Sequence, residues 1–123
     1  MNLVDSSGWI EYFFGRPNAG FFRPAIHDLR NLVVPTISLI EVVRHITRAA
    51  SREAALEAAA QMQRATVVEL DANLAHAAAR LGLKYNLPLA DSIVYATAQA
   101  NRAKLYTQDA DFEKLPGVKY IRK

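Results

Sequence analysis

The sequence predicts an α/β protein whose central, mainly parallel sheet of about five strands is flanked by helices. Short apolar segments alternate with longer segments of helical composition along the whole chain. Strands separated by helices pair in parallel, because a right-handed strand–helix–strand crossover packs the helix back onto the sheet. No internal repeat or low-complexity linker divides the 123 residues. We therefore expect residues 1–123 to form a single domain with one compact core.

Each element is assigned from a local pattern of side chains. Strands are predicted where a short apolar run ends in turn or capping residues, and helices where apolar residues recur at spacings of three and four. The predicted strands are at 1–5, 32–34, 66–70, 104–107 and 118–121. The predicted helices lie around Trp9 to Phe13 and at 22–30, 36–49, 51–63, 72–86 and 88–101, with a helical turn at 109–115. Gly15, Pro17, Asn18 and Gly20 mark a loop between the first two helices.

Capping residues support the boundaries of these helices. Residues 5–8 follow the first strand and supply both the turn and the cap of the first helix. Pro35 and Thr36 open the helix after the second strand, whose apolar residues fall on one face. Asp71 is the predicted N-cap of the helix after the third strand, and Pro88 fits the first turn of the next helix. The caps therefore agree with the alternation of strands and helices.

Composition and charge restrict the class of protein. The chain has no cysteine, which excludes disulfides and thiolate ligands, so any bound metal must have oxygen or imidazole ligands. The N-terminus does not resemble a signal peptide, and no apolar run approaches the roughly 20 residues that span a bilayer. We therefore expect a cytoplasmic protein with no membrane contact. The net charge of +3 favours an anionic partner such as nucleic acid.

Four acidic residues are predicted to lie at one edge of the sheet. Asp5 follows the first strand, Glu41 lies in the first turns of the helix after the second strand, Asp91 opens the helix after Pro88, and Asp109 follows the fourth strand. In open parallel sheets, ligands bind at the carboxyl ends of the strands. Each acid alone is explained by helix capping or by the helix dipole, but parallel topology directs all four toward the same place.

Carboxylates that lie close together repel each other unless a cation intervenes. The four acids therefore predict a site for a hard divalent metal, namely Mg²⁺, for which Mn²⁺ is expected to substitute. Such a metal activates water and neutralises the charge that develops on a phosphodiester during hydrolysis. The predicted reaction is phosphodiester hydrolysis.

Four segments of the chain give it a resemblance to PIN domains and, among them, to the VapC-type toxins of bacterial toxin–antitoxin systems. The resemblance covers essentially the full length. It is carried by Leu3-Val4-Asp5-Ser6-Ser7, by Ser38-Leu39-Ile40-Glu41-Val42, by the segment from Leu89 to Ala98 and by the segment from Leu105 to Phe112. It implies a PIN-like three-layer fold in which Asp5, Glu41, Asp91 and Asp109 are the catalytic acids and metal ligands.

The resemblance also implies supporting residues and partners. Ser7 and Thr107 stand where a hydroxyl supports the metal site, and Asp111 either assists at the site or solvates or caps the short helical turn. The implied activity is that of a metal-dependent endoribonuclease that cleaves tRNA or rRNA and arrests translation. The implied partners are a second copy of the chain and a VapB-type antitoxin, through which alone the protein would contact operator DNA.

Some alternatives stay open at the level of sequence. The chain is either a catalytic toxin, a non-catalytic PIN-fold binding module, or a nuclease that processes RNA or acts on DNA; the presence of all four acids favours catalysis. Arg44, Arg48 and Arg52 recur every four residues and either contact RNA or the antitoxin or form a solvated face. The aromatic residues between positions 9 and 22 form either core and dimer contacts or a groove for a partner.

Overall fold

The computed structural model describes every residue from Met1 to Lys123. It contains five strands, six α-helices and two short 3-10 turns, at 29–31 and 110–112. The strands are β1 (Asn2–Val4), β2 (Leu32–Pro35), β3 (Thr66–Val68), β4 (Lys104–Thr107) and β5 (Val118–Tyr120). The helices are α1 (Ser6–Phe13), α2 (Ala19–His27), α3 (Thr36–Ala49), α4 (Arg52–Met62), α5 (Ala72–Tyr85) and α6 (Leu89–Ala100). None of these helices is long and apolar enough to cross a membrane.

All five strands pair in parallel, in the order β3-β2-β1-β4-β5. The central strand is β1, and its Leu3 lies opposite Val33 of β2 and Leu105 of β4. The predicted α/β class with a parallel sheet is therefore confirmed. Because β1 and β4 are neighbours, the residues that follow them leave the sheet side by side, and the Asp5 amide donates to the Tyr106 carbonyl at 3.2 Å.

Helices cover both faces of the sheet, which gives the predicted three layers. Successive residues of a strand point to opposite faces, so Leu3 and Val4 of β1 belong to different halves of the core. On one face the strands pack against α5 and α6, through buried residues that include Leu74 and Val94. On the other face they pack against helices α1 to α4, with Trp9 at 0% exposure. Burial on both faces explains why the strands are almost continuously apolar.

The second helix differs from its predicted range of 22–30. It begins three residues earlier, contains Gly20, and ends at His27 before the 3-10 turn. Its buried residues recur at helical spacing from the start: Ala19, Phe22, Ala25 and Ile26. A glycine in a helix costs roughly 1 kcal/mol relative to alanine, which is less than the burial of this apolar face returns. Tertiary packing therefore overrides the local preference of Gly20 for a loop.

Gly8 in α1 is required for the close approach of this helix to β1 and α2. A Cβ atom at this position would lie 2.6 Å from ring carbons of Phe22 and from a methyl group of Val4, both of which are fully buried. We expect Gly8→Ala to lower the free energy of unfolding by about 1–3 kcal/mol through overpacking. Urea denaturation measures this difference.

Gly20→Ala is the matched control for this prediction. A Cβ atom at Gly20 would meet only the Arg23 guanidinium, at 3.7 Å, so this exposed helical position gains helix propensity without a clash. We expect its stability to be unchanged or slightly increased. Equal effects of the two substitutions would contradict the packing argument.

Candidate active site

Asp5 is a buried carboxylate whose two oxygens are both held by hydrogen bonds. It follows β1 and caps α1, with 4% of its surface exposed. Its Oδ1 accepts from the Ser7 hydroxyl at 2.7 Å and from the Gly8 amide at 3.0 Å, while its Oδ2 accepts from the Thr107 hydroxyl at 2.6 Å. The two predicted supporting hydroxyls, Ser7 and Thr107, therefore both contact Asp5. These bonds fix the direction in which the carboxylate faces.

The turn after β4 places two further acids beside Asp5. Thr107 Oγ1, which donates to Asp5, accepts from the Asp109 amide at 2.9 Å. Asp109 Oδ1 in turn accepts from the Asp111 amide at 2.9 Å and so caps the 3-10 turn that follows. One chain of hydrogen bonds thus connects the carboxyl ends of β1 and β4. The capping role lies with Asp109 rather than with Asp111.

Asp91 completes a group of three carboxylates. It lies in the first turn of α6 and is half-buried. One carboxylate oxygen from each of Asp91, Asp109 and Asp111 lies within 4.8 Å of the corresponding oxygen of the other two. The charged neighbours that shift the pKa of Asp91 are all acids, so the carboxylates of this cluster repel one another.

Burial, with a contribution from neighbouring acids, raises two pKa values in the site. Burial, together with the negative charges of Asp109 and Asp111, raises the pKa of Asp91 to about 7. Burial likewise raises the pKa of Asp5 to about 6, although hydrogen bonds from Thr107, Ser7 and the Gly8 amide oppose the increase. A divalent cation among the carboxylates would remove the repulsion that raises these values. The donor set consists only of carboxylate oxygens, which are the ligands that a hard cation prefers, so these residues fit a divalent metal.

Glu41 is the one predicted acid that neither belongs to this cluster nor is joined to it by hydrogen bonds. It is half-buried on α3, where it lines a polar cavity of about 220 Å³ together with Arg44, His45 and Arg48. The structure therefore brings together Asp91, Asp109 and Asp111, with Asp5 joined to them by hydrogen bonds, and leaves Glu41 beside basic side chains. The role of Glu41 as a catalytic acid and metal ligand stays a prediction.

Sequence reasoning missed three polar residues next to the site, namely Glu11, Asn18 and Gln108. Glu11 and Gln108 are each only 7% exposed, and they bond to each other and to Asn18. One signal was available in the sequence. Glu11 is the only charged residue between Trp9 and Phe14. A charged side chain in such an apolar segment is stable when buried only if it has hydrogen-bond or ion-pair partners.

The sequence matches the PIN domain family over residues 3–118. The chain therefore belongs to the PIN domain family. Its fold is similar to that of solved VapC structures. No curated protein matches the sequence at a significant level.

Three solved structures illustrate this similarity. A toxin–antitoxin complex from Klebsiella pneumoniae contains a chain with 25% identity and a TM-score of 0.81, and the match covers 97% of this chain and 96% of that one. VapC20 of Mycobacterium tuberculosis, a sarcin–ricin loop cleaving toxin, has 20% identity and a TM-score of 0.81 over 100% of both chains. The DNA-bound VapBC of Salmonella typhimurium has 16% identity and a TM-score of 0.74, covering 99% of this chain and 98% of that one.

Proposed function

We propose that this protein is a metal-dependent endoribonuclease and the toxin of a VapBC-type toxin–antitoxin system, which hydrolyses phosphodiester bonds in tRNA or rRNA and so inhibits translation. One observation carries the proposal: the carboxylates of Asp91, Asp109 and Asp111 converge within 4.8 Å beside the fixed carboxylate of Asp5. Membership of the PIN family and similarity to a VapC toxin support the same interpretation.

The proposed metal is Mg²⁺, with Mn²⁺ able to replace it. Asp5, Asp91 and Asp109 are its proposed ligands and the proposed catalytic acids. Glu41 is the fourth proposed ligand and catalytic acid, and Asp111 assists from the turn after β4. A bound divalent cation supplies activation of water and neutralisation of charge on the phosphodiester. The chain's own contribution is to orient the ligands, since hydroxyl donors hold both oxygens of Asp5 and the Asp111 amide holds one oxygen of Asp109.

Surface charge and one relative support RNA as the substrate. The net charge of +3 favours a polyanion, and Arg44 and Arg48 lie beside Glu41, where they are available to phosphate groups. The similar VapC20 is a sarcin–ricin loop cleaving toxin, which supports ribosomal RNA among the proposed substrates. We place the activity in the cytoplasm, where these RNAs are used.

The proposed protein partner is a VapB-type antitoxin. The similar chain from Klebsiella pneumoniae occurs in a toxin–antitoxin complex, and the similar VapBC of Salmonella typhimurium is bound to DNA. We propose that this chain contacts operator DNA only through its antitoxin.

We also propose a homodimer that forms through the apolar groove between α5 and α6. Leu83 and Leu89 are 86% and 81% exposed at this groove, which has a volume of about 620 Å³. None of its eleven lining residues is charged, so two copies of this face can meet without repulsion between like charges. Leu89 lies two residues before Asp91, so dimerisation would place the acidic sites near the interface.

Leu83→Glu is expected to convert the dimer into a monomer, because it puts two like charges into the apolar interface. Light scattering coupled to size exclusion should give about twice the chain mass of 13.7 kDa for the wild type and the chain mass for the variant. Leu56→Glu is the control, since Leu56 is 57% exposed on α4, away from the groove, and should stay dimeric. A monomeric wild type would refute the proposed dimer.

Expression in bacterial cells tests the proposed function. We expect induction of the protein to stop translation, co-expression of an antitoxin encoded by neighbouring DNA to relieve the arrest, and mapping of new RNA ends to find discrete cuts in tRNA or rRNA. Normal growth without new RNA ends would favour a non-catalytic PIN-fold binding module. Specific maturation of RNA without growth arrest would favour a processing nuclease.

A further inference from the structure

A ring of three polar residues, of which Glu11 and Gln108 are buried and Asn18 is half-buried, connects α1 to the residue between Thr107 and Asp109. The carboxylate of Glu11 accepts from the Asn18 backbone amide at 2.9 Å and from Gln108 Nε2 at 3.1 Å. The Asn18 side chain closes the ring, because its Nδ2 donates to Gln108 Oε1 at 3.0 Å. The bond between Glu11 and Gln108 alone spans 97 positions of the chain.

The direction of every hydrogen bond in this ring is fixed by backbone groups. The Asn18 amide can only donate, so one oxygen of Glu11 must accept. Asn18 Nδ2 also donates to the Arg122 carbonyl at 3.1 Å, which fixes the orientation of this side-chain amide. Gln108 must then accept from Asn18 through Oε1 and donate to Glu11 through Nε2. Position 11 therefore needs an acceptor at both of its side-chain atoms, which a carboxylate provides and an amide does not.

The ring also decides which way the neighbours of Gln108 face. Along extended backbone, successive side chains point to opposite sides. Because Gln108 is anchored on the Glu11 side, Thr107 and Asp109 face the other side, where Thr107 donates to Asp5 and Asp109 meets Asp91. An intact ring thus sets the position of the Asp109 carboxylate within the acidic cluster.

We propose that Glu11 and Gln108 are positioning residues for the metal site, which set its metal affinity by holding the turn after β4. Neither residue belongs to the acidic cluster itself, so both act through Thr107 and Asp109. The inference rests on the proposed metal-dependent function. Groups that orient metal ligands typically change affinity by about 10–100-fold when they are altered.

Glu11→Gln tests this inference, because a glutamine side chain has one acceptor oxygen and cannot accept from both the Asn18 amide and Gln108 Nε2. We expect Mn²⁺ affinity, measured by calorimetry on the purified full-length chain, to fall by about tenfold or more. Glu53→Gln is the matched control, since Glu53 is exposed on α4 and should leave the affinity unchanged. Cleavage by the Glu11→Gln variant should recover as Mn²⁺ is increased to saturation.

The exchanged pair Glu11→Gln with Gln108→Glu provides the decisive rescue. Gln at 11 accepts from the Asn18 amide and donates to Glu at 108, which also accepts from Asn18 Nδ2, so every bond of the ring is restored. We expect wild-type Mn²⁺ affinity in this double variant, even if Glu11→Gln alone does not fold. The inference would be overturned by unchanged Mn²⁺ affinity in the folded single variant, or by an affinity in the double variant that is still about tenfold below the wild-type value. Either result would leave the proposed function intact. Failure of the wild type to bind Mn²⁺ would overturn the proposed function as well.

Discussion

Replacement of Asp91 by asparagine is expected to reduce RNA cleavage by about a thousandfold or more. Asparagine has nearly the shape of aspartate but no negative charge, so the variant loses a charged ligand proposed for the metal from the cluster. The loss of charge stabilisation by a metal is worth several kcal/mol, and each 1.36 kcal/mol changes the rate by about tenfold. Single-turnover cleavage at saturating Mn²⁺ measures the effect.

The same substitution should leave the metal-free protein folded and at least as stable as the wild type. At pH 8 the ionised Asp91 faces the charges of Asp109 and Asp111, and asparagine removes this repulsion. The control is Asp71→Asn, which removes a carboxylate from the N-cap of α5, where asparagine caps equally well. We expect this control to cleave normally. Wild-type cleavage by the Asp91→Asn variant would exclude Asp91 from the catalytic site.

Metal affinity is expected to increase steeply with pH between about 5.5 and 8. The raised pKa values of Asp91, about 7, and Asp5, about 6, mean that metal binding below these values must displace protons. Each displaced proton changes the apparent affinity by about tenfold per pH unit below the relevant pKa, so we expect an increase of at least about tenfold from pH 6 to pH 8. Calorimetric titration with Mn²⁺ in two buffers of different ionisation enthalpy measures both the affinity and the protons released. An affinity that is constant over this range would contradict the raised pKa values of Asp91 and Asp5.

In the absence of metal, an increase in pH is expected to lower the stability of the folded protein, whereas it raises the metal affinity. The folded protein holds a proton on Asp91 up to about pH 7, whereas an unfolded aspartate releases it near pH 4. Between these values the folded state binds more protons, so the contribution of Asp91 to stability decreases as pH rises. The same reasoning applies to Asp5 up to about pH 6.

The fold and most of the candidate site follow from information that is local in the sequence. Asp5 and Asp109 directly follow strands, and parallel pairing of β1 with β4 brings their carboxyl ends together. Their position was therefore predictable once the alternation of strands and helices indicated a parallel sheet. Asp91 was predictable in the same way, because Pro88 and the apolar residues after it define where α6 begins.

The remaining features depend on packing between distant segments. Whether Asp111 or Glu41 approaches Asp91 depends on the geometry of a 3-10 turn and on the rotation of α3, and neither leaves a mark in the local sequence. The bond between Glu11 and Gln108 spans 97 positions, so only the assembled fold reveals it. The early start of α2 has the same origin, since the burial of Ala19 against the core outweighs the presence of Gly20.

Incubation of the purified, antitoxin-free protein with total cellular RNA tests the central claim most directly. With Mn²⁺ or Mg²⁺ present, we predict discrete RNA fragments, and we predict no fragments when EDTA is added or when Asp91→Asn replaces the wild type. Intact RNA after incubation with a well-folded wild-type protein and metal, or equal cleavage in the presence of EDTA, would contradict the assignment of a metal-dependent ribonuclease.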